Sequence, residues 1–200
     1  MSDILTINTD NDSIKSTVPQ EEINPLPVFD ENFPMLKLKI PEYDGSFPNP
    51  FIVTLSKRLL MTMNRYGGIG LSANQCGVDV RMFVLGQPDF AMVCLNPKVT
   101  NQSEELIEMN EGCLSYPGFH VKIARPAWID VEFMNEHGKV FQNRLDGITA
   151  RSYLHELDHL NGIRFVEHVG PVAIQMARKK QTKLVKQYQR NKKRKNGVFV

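Results

Sequence analysis

The chain carries only three cysteines, Cys76, Cys94 and Cys113, in 200 residues. So few, and an odd number, exclude a disulfide framework and suit a reducing compartment. No run of about 18 apolar residues is present, so no membrane-spanning helix is expected. The N-terminus, Met1-Ser2-Asp3-Ile4-Leu5-Thr6, lacks the basic and apolar stretches of a secretory signal, and its acidity argues against a transit peptide. These absences predict a cytoplasmic protein, or one in an equivalent reducing compartment. Acidic residues are also missing from one end: from Pro171 onward there are ten Lys or Arg and no Asp or Glu. Before residue 48 the balance reverses, with nine acids against Lys15, Lys37 and Lys39. The formal net charge of +2 therefore conceals two ends of opposite sign.

What remains is ordinary for a folded domain. An apolar share of 42%, with 8% aromatics, is enough to bury one sizeable core. Residues 1–27 are acidic and hold Pro19, Pro25 and Pro27, which predicts a flexible extension. Residues 28–170 form the expected core domain and 171–200 a basic C-terminal helix or tail. Asn49-Pro50 supplies a cap and a first-turn proline for a helix through Ile52, Leu55, Leu59 and Met63, ending near Gly67-Gly68. Residues 80–85, 91–95 and 128–133 read as strands, and Glu136-His137-Gly138-Lys139 as a hairpin turn. Asp146 is a candidate cap for a helix through Leu154, Leu157 and Leu160 that stops before Gly162. Strands segregated from helices predict an α+β fold in which mixed or antiparallel sheets surround that helix, with the C-terminal helix apart.

The helix contains His155-Glu156-Leu157-Asp158-His159. Positions i and i+4 share a helix face, so both imidazoles reach one metal ion while Glu156 reaches a water beside it. Two ordinary helix histidines are the bland alternative; the adjacent carboxylate speaks against it. A catalytic site of this kind needs a third protein ligand. The metalloprotease continuation H-E-x-x-H-x-x-G-x-x-H fits Gly162 but meets Phe165 where the last histidine belongs, and His168 is three residues too late. A thermolysin-like glutamate far downstream is missing as well, since no acid follows Glu167. Upstream, Glu111-Gly112-Cys113-Leu114-Ser115 offers a thiolate, a strong ligand for Zn²⁺ or Fe²⁺. A buried small hydrophobe is the competing reading of Cys113. Gly68-Ile69-Gly70-Leu71-Ser72-Ala73-Asn74-Gln75 imitates a dinucleotide fingerprint, but a helix precedes it where a strand is required. Close backbone approach by a peptide, with an amide donor at Gln75, suits it better.

In this order the three segments resemble the peptide deformylase family, marked by G-x-G-φ-A-A-x-Q, E-G-C-φ-S and H-E-x-D-H. The one departure is Ser72, where the first of two alanines usually stands. The resemblance implies a metal-dependent hydrolase that releases formate from N-formylmethionyl peptides. It makes Cys113, His155 and His159 the metal ligands, Glu156 the general base and acid, and Gln75 with the Leu114 N–H the oxyanion donors. The implied cofactor is one divalent ion, typically Fe²⁺, with Zn²⁺, Ni²⁺ or Co²⁺ as substitutes. Substrate would add as a strand beside Gly70, its methionine side chain received by Ile69, Met109, Ile148, Arg151 and Ser152, although Arg151 is polar for a pocket wall. Glu111 and Arg125 form a candidate ion pair, against the alternative of two solvated charges. Some members of the family dock a basic C-terminal helix near the ribosomal exit tunnel, so the ribosome, through its RNA, is an expected partner of this tail, against the alternative of a solvated helix with a frayed end; no membrane or DNA partner is expected. Two rival readings are a zincin-like metalloendopeptidase and a non-enzymatic ribosome- or RNA-binding protein.

Overall fold

The structure is a computed structural model that describes residues 23–87 and 90–196. Residues 1–22 of the expected extension lie outside the described residues. Its last part, from Ile23, lies against the core: Leu26 is buried and its N–H donates to Thr62 Oγ1 at 2.8 Å.

Helix α1 (Pro50–Arg65) begins where Asn49 Oδ1 accepts from the N–H groups of Phe51 and Ile52, satisfying two donors that the first turn leaves free. Its buried positions include Ile52, Leu55, Leu59 and Met63, the 3–4 spacing of a single apolar stripe. Strands β1 (Gly70–Ser72), β2 (Met82–Gln87), β3 (Phe90–Gln102), β6 (Trp128–Met134) and β7 (Val140–Asp146) form one antiparallel sheet in the order β1-β2-β3-β6-β7. Strands β4 (Leu106–Gly112) and β5 (His120–Pro126) form a separate antiparallel pair.

Successive side chains of a strand face opposite sides of its sheet. On β2, Met82 and Val84 join Ile52, Leu55 and Leu59 beneath α1. Phe83 and Leu85 join Ile129, Val131, Ala150 and Tyr153 beneath the second helix, α2 (Gly147–Leu160). Strand β2 is therefore covered on both faces, which explains its unbroken apolar sequence. The β6–β7 hairpin turns at Asn135–Lys139 with Gly138 at φ 80°, so the expected turn is where the sequence put it.

A third cluster lies between β5 and helix α3 (Pro171–Asn196): Tyr116, Phe119, Val121, Ile123 and Phe165 pack with Ala177. Only the first turns of α3 take part in this packing. Val172, Met176, Leu184 and Val185 are exposed, and the basic residues from Lys179 onward follow. Among the described residues no helix is long and apolar enough to cross a membrane.

Candidate metal centre and active site

Helix α2 runs between the two sheets and turns one face toward the gap between them. Ser152, His155, Glu156 and His159, at 3–4 spacing, are all buried on it. The imidazoles of His155 and His159 have centroids 5.1 Å apart. From the opposite side comes Cys113, carried by the turn that follows β4. Hydrogen bonds from Tyr116 N–H to Cys113 O and from Phe119 N–H to Tyr116 O hold that turn. Cys113 Sγ stands 3.2 Å from His159 Nε2. One donor atom from each of Cys113, His155 and His159 lies within 4.8 Å of the others.

The second ring nitrogen of His155 is already committed. Nδ1 donates to Glu111 Oε2 at 3.0 Å, which leaves Nε2 as the ring nitrogen available to a metal. Glu111 also receives Arg125 Nε and Nη2, each at 2.9 Å, and Arg151 Nη1 at 2.6 Å. Arg125 Nη1 continues to Asp158 Oδ2 at 2.7 Å, and His168 Nε2 meets the same oxygen at 2.7 Å. Burial works against the Glu111 carboxylate, but hydrogen bonds from Arg125 and His155 outweigh it and hold the pKa at about 2. The expected Glu111–Arg125 pair is thus present and fully buried. Removing one partner of such a network costs about 3–5 kcal/mol.

Burial disfavours the imidazolium of His155, yet hydrogen bonds to Cys113 and Glu111 draw its pKa up to about 10. His159 moves the other way, well below its usual value, through burial and the neighbouring charges of His155 and Arg125. A thiol with two imidazoles is a donor set taken by divalent transition ions. Two buried polar atoms beside it, Glu156 Oε2 and His159 Nδ1, have no partner among the described residues. Cys113, His155 and His159 therefore fit a divalent cation.

Glu156 is buried, which pushes its carboxyl up to about 7 despite the lowering effects of His155 and hydrogen bonds from Ser72. Strand β1 passes directly over it. A Cβ placed on Gly70 would lie 2.5 Å from Glu156 Oε1, so no side chain fits there. After β1, Gln75 is buried in a short 3₁₀ turn (Ala73–Cys76). Its Oε1 accepts from both the N–H and the hydroxyl of Ser72, each at 3.0 Å. Its Nε2 consequently points to Cys113 Sγ at 3.4 Å and Ser115 Oγ at 3.2 Å. Leu114, next to Cys113, keeps its N–H outside the hydrogen bonds that close the turn.

A cavity of about 590 Å³ opens onto Glu156, Cys113 and Leu114, with Gln75 buried behind its wall. Ile69, Gly70, Leu114, Ile148, Arg151 and Ser152 are in its wall, together with Cys113, His155 and Glu156. Met109 is not: it lies half-exposed on β4, outside that wall. Arg151 is buried, and its guanidinium donates to Glu111 and to the carbonyls of Ile123 and Ile107. It is a strut between α2 and the β4–β5 pair, not the exposed helix residue its charge suggests. Sequence reasoning missed Asn74, whose Nδ2 donates to the carbonyl of His159 at 2.7 Å. Nothing in the local sequence signals a bond across 85 positions.

Antiparallel sheets around a central helix, with a Cys/His/His set and an adjacent carboxylate in a cavity, define a metal-dependent hydrolase. The family described as polypeptide deformylase matches residues 25–175. Peptide deformylase of Acinetobacter baumannii (strain SDF) is 36% identical over 164 residues, which cover 74% of this chain and 93% of the relative. That of Synechocystis is 39% identical over 133 residues, covering 64% and 71%. Among solved structures, a peptide deformylase from Legionella pneumophila superposes with a TM-score of 0.74 at 28% identity, covering 83% of this chain and 98% of that one. One from Synechococcus elongatus in complex with actinonin has a TM-score of 0.74 at 30% identity, covering 79% and 86%. The chain belongs to the polypeptide deformylase family. The zincin-like and non-enzymatic readings find no support in these likenesses.

Proposed function

We propose that the chain removes the formyl group from N-formylmethionyl peptides, releasing formate and a free amino terminus. The observation that carries this reading is Gly70 pressed against Glu156 on β1, the last strand of its sheet, with Cys113, His155 and His159 behind. A peptide added along that strand would be bound by main-chain hydrogen bonds and bring its terminal amide to the carboxylate.

Cys113, His155 and His159 would hold one divalent cation, Fe²⁺ in our reading with Zn²⁺, Ni²⁺ or Co²⁺ as substitutes, which when bound lowers the pKa of a water and polarises the formyl C=O. Glu156 takes a proton from the attacking water and returns it to the departing amine nitrogen. Gln75 Nε2 and the Leu114 N–H donate to the oxygen on which negative charge develops; one such donor elsewhere is worth roughly 10²–10³ in rate. Glu111, Arg125 and Arg151 do not touch substrate: they fix the ring of His155 and the wall of the cavity. The methionine side chain is received by Ile69, Ile148 and Ser152, with Arg151 beneath.

Residues 28–170 serve as the catalytic unit, with Asn24–Pro27 strapped to it and 171–200 as an appendage. The exposed Lys179, Lys180, Lys183 and Lys186 on α3 suit phosphate contacts, and ribosomal RNA is the partner we infer for them. That reading, and the small number of cysteines, point to the cytoplasm or an equivalent reducing compartment, with no part for DNA or a membrane.

The test is formate release from a formyl-Met peptide by anaerobically prepared protein, beside Glu156→Gln. Wild type should release formate and the variant should not, with equal metal content in both. Metal-loaded wild type no more active than the variant would overturn the proposal.

A further inference from the structure

Ser72 departs from the alanine usual at this position in the family it resembles, and it is fully buried. Its hydroxyl has one hydrogen; Gln75 Oε1 stands 3.0 Å away to receive it, and the Glu156 carboxylate, whose pKa Ser72 lowers, is the competing acceptor. The backbone N–H of the same residue reaches the same oxygen at 3.0 Å. A backbone N–H only donates, so it decides which end of the amide faces β1. The hydroxyl fills the second lone pair of that oxygen and removes the remaining freedom of rotation about the amide. The opposite end, Nε2, is thereby aimed at Cys113 Sγ and Ser115 Oγ.

We propose that the Ser72 hydroxyl is a positioning residue: it locks the Gln75 amide with its N–H₂ directed into the reaction site, a restraint an alanine lacks. The proposal rests on the role of Gln75 as an oxyanion donor. A preorganised donor stabilises developing charge only when it need not reorient at the moment of reaction, so a loosened Gln75 lowers kcat more than it alters KM.

Ser72→Ala adds no atoms, and because an effect through Glu156 would persist without Gln75, the double variant separates the two routes. The expected fall in kcat is about three- to tenfold, the worth of one neutral hydrogen bond, with KM and metal content unchanged. In a Gln75→Ala background the same substitution should do nothing further to kcat, because the group it positions is gone. ¹⁵N NMR of the Zn²⁺-loaded protein should show faster solvent exchange of the Gln75 side-chain amide in Ser72→Ala than in wild type. Wild-type kcat in Ser72→Ala, or a loss that persists in the double variant, would overturn the proposal. A Gln75→Ala protein with full activity would instead overturn the oxyanion role on which it stands.

Discussion

Gly70 has no side chain because Glu156 occupies the space. The 2.5 Å approach of its absent Cβ to Oε1 means that even a methyl group must displace the carboxylate. Gly70→Ala should lower kcat/KM about a hundredfold through misplacement of the reacting groups, with overpacking of about 1–3 kcal/mol lowering the melting temperature by a few degrees. Steady-state kinetics beside a thermal melt check it, and wild-type activity would deny the contact. The three cysteines make a second comparison at this scale. Cys76 and Cys94 are buried, and desolvation pushes the Cys76 thiol up to about 12 and that of Cys94 well above its usual value. Raised values keep both as neutral thiols at neutral pH, so neither attacks an alkylating reagent. Cys113 stands in the wall of the cavity. In chelator-treated protein, iodoacetamide should therefore label Cys113 alone, and restored Zn²⁺ should protect it. Mass spectrometry of the tryptic peptides reads the result.

Helix α3 illustrates why an element's charge does not reveal its whole role. Its sequence is basic and reads as a solvated tail, yet Arg178 is held in a bidentate ion pair with Glu31. The same guanidinium lies 4.5 Å over the ring of Phe119. Gln181 Nε2 donates to Pro117 O at 2.7 Å, so the start of α3 grips the turn that carries Cys113 and Leu114. Truncation after Gly170 removes this grip together with Ile174 and Ala177. Burial of one aliphatic side chain and one cation–π contact sum to about 2–4 kcal/mol. The melting temperature should fall by about 5–10 °C on that account. A truncated protein is thus a poor probe of ribosome binding. Charge reversal at Lys179, Lys180, Lys183 and Lys186 should abolish salt-sensitive co-sedimentation with ribosomes while the melt stays unchanged. Retained binding would remove these lysines from the interface.

At the scale of the molecule, the proposed ligands join two separate layers: His155 and His159 on α2, and Cys113 beyond β4. A cation held between them ties the β4–β5 pair to the main sheet, and its binding energy adds to folding stability. With free ion at 1,000 times Kd the linkage is worth about 4 kcal/mol. Chelation should accordingly lower the melting temperature in wild type and leave Cys113→Ala unaffected; equal shifts in both would deny the link.

The sequence by itself determined the parts whose signals are local. The cap at Asn49, the apolar stripe of α1, the histidine spacing on α2 and the turn at Gly138 depend on neighbours within a few residues, and each is where the spacing places it. The rejection of a protease reading was equally local, resting on Phe165 where a histidine was required. Only the tertiary structure decided what long-range packing controls. Arg151 became a buried strut because Glu111 and the carbonyls of Ile107 and Ile123 converge on it from other elements. Met109 lies outside the cavity wall, on a strand that exposes nearly every side chain apart from Glu111. Ser72 looked like a minor departure until folding set its hydroxyl against Gln75. Local spacing fixes which side chains share a face; the partners that satisfy a buried charge or a buried oxygen come from distant parts of the chain, and only the assembled core brings them within reach.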